Sequence, residues 1–223
     1  MNIPFWKKYL SYLFELHIES APSKINPHLY VSLNKGRYQL STANAIYSFA
    51  DLYDNFSFAF QKIHLPHNNS KVLLLGLGLG SIPYMLERNF NKNYQYTAIE
   101  IDENILYLAS KYTLPYLTSS INMQCADALH FVNYCQESFD LICMDVFLDD
   151  VVPIQFEKMD FLAQLKSLLN PDGIILFNRL ANTEADKIAA NKFMNIFMKI
   201  FPDGMYLEPT GNWIFMNDKT FLK

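Results

Sequence analysis

Val72-Leu73-Leu74-Leu75-Gly76-Leu77-Gly78-Leu79-Gly80-Ser81 is the stretch from which the rest of the chain can be read. Its leading apolar residues suit a strand buried on both faces, as in a parallel sheet. Glycines then alternate at 76, 78 and 80. Without a Cβ the backbone can turn sharply there and approach a ligand closely. Ile82 to Phe90 reads as a helix, with Pro83 tolerated in its first turn. A second apolar strand, Tyr96-Thr97-Ala98-Ile99, ends in Glu100. An acid in that position can accept hydrogen bonds from ribose hydroxyls. The unit therefore reads as a nucleoside-cofactor site; the bland alternative is a tight strand-to-helix turn. The spacing departs from the dinucleotide pattern Gly-x-Gly-x-x-Gly, whose third glycine would fall at Ser81. That departure favours a single nucleoside such as S-adenosylmethionine.

Composition narrows the class. With 223 residues, 51% hydrophobic and 18% charged, the chain can bury one large core plus a small appendage and is not a disordered sequence. The net charge is −4 and no basic cluster exceeds Lys7-Lys8, so nucleic acid is not an expected partner. The 3 cysteines, Cys125, Cys135 and Cys143, lack metal-like spacing. Cys125 and Cys143 are expected on buried strands, and so sparse and odd a count fits a reducing, cytoplasmic setting. Lys7-Lys8 before Tyr9 to Phe14 faintly suggests a secretion signal, but Glu15 interrupts it. An amphipathic helix packing on the body or a partner is expected instead. No run approaches the ~20 apolar residues of a membrane span, so no membrane association is expected.

Outward from the glycine stretch, residues 1–20 read as helical. Leu29 to Leu33 and Arg37 to Ser41 flank Asn34-Lys35-Gly36 as a β-hairpin. A helix is expected from about Tyr47 to Ile63, because Phe49, Leu52, Tyr53, Phe56 and Phe60 recur at helical spacing. From Lys71 onward strands near 72–75, 95–99, 121–124, 140–144, 174–178, 205–208 and 213–217 alternate with helices near 82–90, 103–113, 127–133, 157–169 and 184–201. Alternation predicts an α/β fold, a doubly wound, seven-stranded, mostly parallel Rossmann-like sheet. The short link Glu208 to Asn212 makes the last two strands antiparallel. The expected division is 1–65, an N-terminal helix, β-hairpin and linking helix, and 66–223, the cofactor-binding core.

Ligand groups in such sheets gather beyond the carboxyl ends of the strands. Gly76, Gly78 and Gly80 would admit the nucleoside and Glu100 would take its ribose. Asp127 could accept the adenine amino group, cap the next helix, or both. Asp102 reads as a helix cap. Asp145 ends the fourth strand and either orients and deprotonates an amine or hydroxyl acceptor or begins an acidic loop. Asp149 and Asp150 read as that loop. His64 and His67, separated by Pro66, read as loop residues, and His130 as packing or function. No metal is expected.

These residues together resemble the spermidine synthase family, built on the class I S-adenosylmethionine-dependent methyltransferase fold. The resemblance runs from about Leu29 onward and is clearest from Val72 to Asp145. Val72 to Ser81 is similar to the family's glycine-rich motif, Ala98-Ile99-Glu100-Ile101-Asp102 to its ribose segment, and Ala126-Asp127-Ala128 to its adenine-contacting pair. Phe139 to Asp145 resembles the strand that ends in the catalytic aspartate, and Tyr47-Ser48 the tyrosine-bearing segment before the core. The resemblance implies cofactor contacts from Gly76, Gly78, Leu79, Gly80, Glu100, Ile101, Asp127, Ala128 and Asp145, with Asp145 and Tyr47 as catalytic residues. It implies S-adenosylmethionine or its decarboxylated form as cofactor, a small-molecule acceptor, and compatibility with a homodimer.

The chain also departs from that pattern. Leu79 stands where aminopropyltransferases carry an aspartate for the cationic tail of the decarboxylated cofactor. The Asp-x-x-Asp-Pro motif is displaced, with Leu148 at its second acid. The Tyr-His-Glu or Tyr-Gln-Glu triplet that binds polyamine is missing, Tyr47-Ser48-Phe49 standing near its place, and the N-terminal β-region is reduced. The leading expectation is a methyltransferase acting on an unidentified small acceptor. Its alternatives are an aminopropyltransferase of polyamine biosynthesis and a protein that binds the nucleoside cofactor without catalysis.

Overall fold

The computed structural model describes residues 3–26, 28–43, 45–148 and 151–223. The glycine stretch begins on β5 (Lys71–Leu75), an interior strand of a sheet. Its side chains alternate between faces, and Val72 to Leu75 are all fully buried because both faces are covered. Val72 and Leu74 join Leu141, Cys143, Ile174 and Leu176 against the helices α2 (Asp54–Lys62) and α3 (Ser81–Arg88). Leu73 and Leu75 pack on the other face with Ile142, Met144 and Phe177, beneath Phe161, Leu165, Phe193 and Phe197.

The sheet has seven strands in the order β10-β11-β9-β8-β5-β6-β7. They are β5, β6 (Gln95–Glu100), β7 (Ser120–Cys125), β8 (Phe139–Met144), β9 (Leu169–Leu180), β10 (Met205–Leu207) and β11 (Asn212–Met216). The pairs among β5 to β9 are parallel, while β11 runs antiparallel to both β9 and β10. The intervening helices are α3, α4 (Glu103–Tyr112), α5 (Ala128–Tyr134), α6 (Met159–Ser167) and α7 (Glu184–Ile200). The chain runs outward from β5 to β6 and β7, then returns to the other side of β5 as β8. That reversal opens a crevice at the carboxyl ends of the central strands. Cys143 is buried on β8 as expected, but Cys125 is exposed, because β7 is an edge strand and Cys125 ends it.

Ahead of this sheet lies a second, antiparallel one in the order β1-β2-β3-β4. β2 (Tyr30–Asn34) and β3 (Arg37–Ser41) form the expected hairpin, closed by Lys35 and Gly36. Two expectations fail here. The helix read over residues 1–20 is confined to α1 (Phe5–Leu10), and Leu16–Ser20 is instead β1, paired with β2. Pairing with an available hairpin edge satisfies its backbone, whereas α1 buries no residue that could extend the helix. The helix expected from Tyr47 starts only at Asp54. Ile46–Ser48 is β4, and Ala50–Leu52 is a short 3-10 turn. Ser81 Oγ holds this segment by bonding Ser48 Oγ at 2.6 Å and the Phe49 amide at 2.9 Å. Val31 and Leu40 of this sheet, with Leu29 just before β2, pack against Ile105, Leu108 and Tyr112 of α4. Among the described residues no helix is long and apolar enough to cross a membrane.

Candidate functional site

The crevice is a cavity of about 740 Å³ at the carboxyl ends of β5, β6, β7 and β8, roofed in part by the N-terminal sheet. Its floor is the glycine turn. Gly76 has φ +86° and Gly78 φ +54°. A Cβ on Gly76 would lie 2.3 Å from the Asp145 carbonyl oxygen, and one on Gly78 3.1 Å from that of Tyr47. The turn thus lets two other backbones close on it.

Glu100 is 9% exposed and lines the cavity. Its Oε2 accepts from the amides of Leu77 at 3.2 Å and Gly78 at 3.4 Å, and its Oε1 from that of Asp102 at 3.2 Å. Burial pushes its pKa up, the three amides pull it down, and the nearby Asp102 adds to the rise. Asp102 caps α4 through the Asn104 amide, as its spacing suggested, and also binds Ser23 and Asn26. Ile101, 45% exposed, and Ala128 supply apolar wall. Asp127 caps α5 by taking the Leu129 and His130 amides at 2.7 and 3.1 Å, both on Oδ1, and lines the cavity too. Its two proposed roles are geometrically compatible.

Leu79 and Gly80 stand outside this lining. Leu79 is 2% exposed and packs with Leu29, Val31, Leu40, Ile105 and Tyr112. The expectation that its side chain meets the cofactor tail is therefore corrected. Alternate residues of the turn face opposite ways, and apolar burial under the N-terminal sheet takes the leucine. Gly80 abuts Leu114, whose Cδ2 would lie 3.0 Å from an added Cβ.

Asp145 stands across the glycine turn from Glu100, just beyond β8, its amide donating to the Leu75 carbonyl at 2.8 Å. Its Oδ1 accepts from Tyr53 Oη at 3.2 Å and from Asn178 Nδ2 at 2.8 Å. Burial lifts its pKa to about 6, against the two hydrogen bonds, and Glu100 adds to the rise. Burial likewise pushes the Tyr53 hydroxyl well up, so it is a donor at neutral pH. Tyr47 lines the cavity as well, but its hydroxyl donates to Asn26 Oδ1 at 2.8 Å. The tyrosine on Asp145 is thus Tyr53, which helical spacing had assigned to a packing face. A signal was available: Tyr53-Asp54-Asn55 is a tyrosine followed by two polar residues, whereas Tyr47-Ser48-Phe49 ends on an apolar one. Asn55, Gln155, Asn182, Asp186 and Asn212, none of them picked out from the sequence, also line this end.

Among the described lining residues the ionisable acids are Glu100, Asp127, Asp145 and Asp186, and no Lys, Arg or His joins them. His64, His67 and His130 are exposed. Among the described residues no group of His, Cys, Asp and Glu is placed to hold a metal. Asp149 and Asp150 lie outside the described residues.

Comparison with known proteins places this geometry. The family model for the spermine/spermidine synthase domain matches residues 58–208. A probable polyamine aminopropyl transferase of Bifidobacterium longum is 27% identical over 114 residues, 51% of this chain and 25% of that protein. The eEF1A lysine and N-terminal methyltransferase of Bos taurus is 30% identical over 118 residues, 48% of this chain and 17% of that protein. The chain thus spans a quarter or less of the length of these two relatives. The crystal structure of a probable spermidine synthase from Corynebacterium glutamicum superposes with a TM-score of 0.69 at 16% identity, covering 91% of this chain and 79% of that one. With its glycine turn, terminal acids and seven-stranded sheet, the chain belongs to the spermine/spermidine synthase domain family, on the class I S-adenosylmethionine-dependent methyltransferase fold.

Proposed function

We propose that the chain is a transferase that binds S-adenosylmethionine across Gly76, Gly78 and Glu100 and methylates a small amine or hydroxyl acceptor seated against Asp145. The observation that carries this reading is one continuous cavity lined by Glu100 on one side of the glycine turn and by Asp145 on the other. The residues fit a nucleoside. A carboxylate offers about four acceptor positions, and backbone amides occupy three of those on Glu100, leaving Oε1 capacity for a ribose hydroxyl. Ile101 and Ala128 give a base an apolar wall, with the Asp127 carboxylate at its edge.

The cofactor supplies a sulfonium-bound carbon to a nucleophile placed in line with it. The chain's part is placement and proton removal. Tyr53 and Asn178 grip one oxygen of Asp145, and the other can take the acceptor's proton. A carboxyl held near pH 6 is ionised at neutral pH yet more basic than a surface aspartate. The carboxylates around the cavity suit a cationic amine acceptor. Leu79 packs away from the cavity, so the glycine turn presents no carboxylate to a cationic tail, and methyl transfer is taken as the first reading. The second reading, aminopropyl transfer, draws support from the lack of a cationic side chain among the described lining residues, which leaves the carboxylate of S-adenosylmethionine to backbone amides.

Calorimetric titration with S-adenosylmethionine, its decarboxylated form and methylthioadenosine separates the two. Tighter binding of the carboxylate-bearing cofactor is the expected result. Preference for the decarboxylated form would overturn methyl transfer in favour of aminopropyl transfer. Binding without turnover across a panel of amines would point to a non-catalytic cofactor binder.

A further inference from the structure

Asn212 opens β11 and faces Leu180 at the end of β9, across the antiparallel pair. It is 7% exposed, and Asn178 is 1% exposed. Asn212 Nδ2 donates to Asn178 Oδ1 at 2.9 Å, and Asn178 Nδ2 donates to Asp145 Oδ1 at 2.8 Å. A carboxamide has a donor end and an acceptor end, and an ionised carboxylate can only accept. Unpinned, the Asn178 amide could swing its NH₂ away from Asp145. With its oxygen taken by Asn212, it must present its NH₂. Tyr53 meets the same Oδ1 at 3.2 Å. No group among the described residues donates to Oδ2.

From this chain of contacts we infer that Asn212 is a positioning residue for transfer. It orients the Asn178 amide so that Oδ1 of Asp145 is held and Oδ2 is left to take the acceptor's proton. The acceptor's N–H or O–H bond breaks to Oδ2, its electron pair forms the bond to the transferred carbon, and the carbon–sulfur pair stays on sulfur. The inference rests on the transfer reading, because it assigns the base atom. Asn212 also lines the cavity, so direct contact with the acceptor is the rival role.

The two roles part in the titration of Asp145. A hydrogen bond to the carboxylate lowers its pKa, so losing a reliable donor raises it. The test follows the side-chain carboxyl carbons of ¹³C-labelled aspartate and glutamate by NMR in the full chain, with Asp145→Asn giving the assignment. The titratable groups that act on Asp145 are Tyr53, Cys143 and Glu100. Burial raises the first two far enough to stay protonated across the titration, and Glu100 is followed in the same spectra. Asn212→Leu is expected to raise the Asp145 midpoint by about one pH unit. Asn212→Ser, which keeps a donor, is expected to recover part of that shift, and melting curves establish that both variants are folded. An unchanged midpoint in Asn212→Leu, or equal shifts in both variants, overturns the positioning role. If wild type binds neither S-adenosylmethionine nor its decarboxylated form, the transfer reading falls, while the midpoints still decide whether Asn212 orients Asp145 through Asn178.

Discussion

At the Glu100 end of the cavity the contacts are local. Glu100 is bound by the amides of Leu77, Gly78 and Asp102, all from β5, β6 and the turns that follow them. At the Asp145 end, Tyr53, Asp145, Asn178 and Asn212 come from four separate stretches and meet through side chains. The first end is made mostly of backbone, so glycine spacing and one acid declare it. The second is made of polar side chains whose neighbours in sequence are unremarkable strand and turn residues. A backbone-built site is therefore resistant to most side-chain changes, and a side-chain-built site can diverge one residue at a time.

Leu79→Asp gives the largest expected effect and tests where the local end stops. Leu79 packs under the N-terminal sheet, so the new carboxylate would be buried without a partner. The expected cost is about 3–5 kcal/mol, read as a lowered denaturation midpoint. A stable variant with a changed preference between the two cofactor forms would instead put residue 79 in the cavity.

Asp145→Asn tests the assembled end. Its pKa is raised from the usual aspartate value of 3.8 to about 6. The fold therefore disfavours the ionised form. This group's stabilising contribution is complete below about pH 4 and is lost as pH rises through about 6. A neutral asparagine should thus raise stability at pH 7.5 by about 2–3 kcal/mol and leave it little changed at pH 4, while abolishing transfer. Equal effects at both pH values in chemical denaturation would show that burial does not govern this carboxyl.

Glu100→Gln is the smallest of the three changes. One oxygen becomes an NH₂ group that must face backbone donors. The NH₂ also leaves a ribose hydroxyl donor without its acceptor, at about 1–3 kcal/mol, so cofactor affinity should fall by about fivefold to over a hundredfold. Calorimetry would show it, and unchanged affinity would remove Glu100 from the cofactor site.

The contrast also explains what could be read in advance. The seven sheet strands and five flanking helices lie close to where apolar runs and helical periodicity put them. Asp102 and Asp127 cap their helices because a cap is a contact within a few residues. Helical periodicity did not separate Tyr47 from Tyr53. Tyr53 fits a helical apolar stripe, yet the helix begins after it, and its ring reaches Asp145, 92 residues away in the chain. Leu16 to Ser20 was equally ambiguous until the edge of β2 was there to pair with it.

The sequence by itself determined the doubly wound core, the glycine turn and the acid at the end of β6. Each depends on periodicity, backbone freedom or short separation, which local residue choice encodes. Only the tertiary structure decided that Leu79 turns from the cavity, that Tyr53 rather than Tyr47 meets Asp145, and that Asn212 backs Asn178. Those outcomes depend on which apolar surface lies opposite a turn and which polar groups a distant strand delivers. A hydrogen bond between residues 34 positions apart, as between Asn178 and Asn212, leaves no periodic trace in the chain.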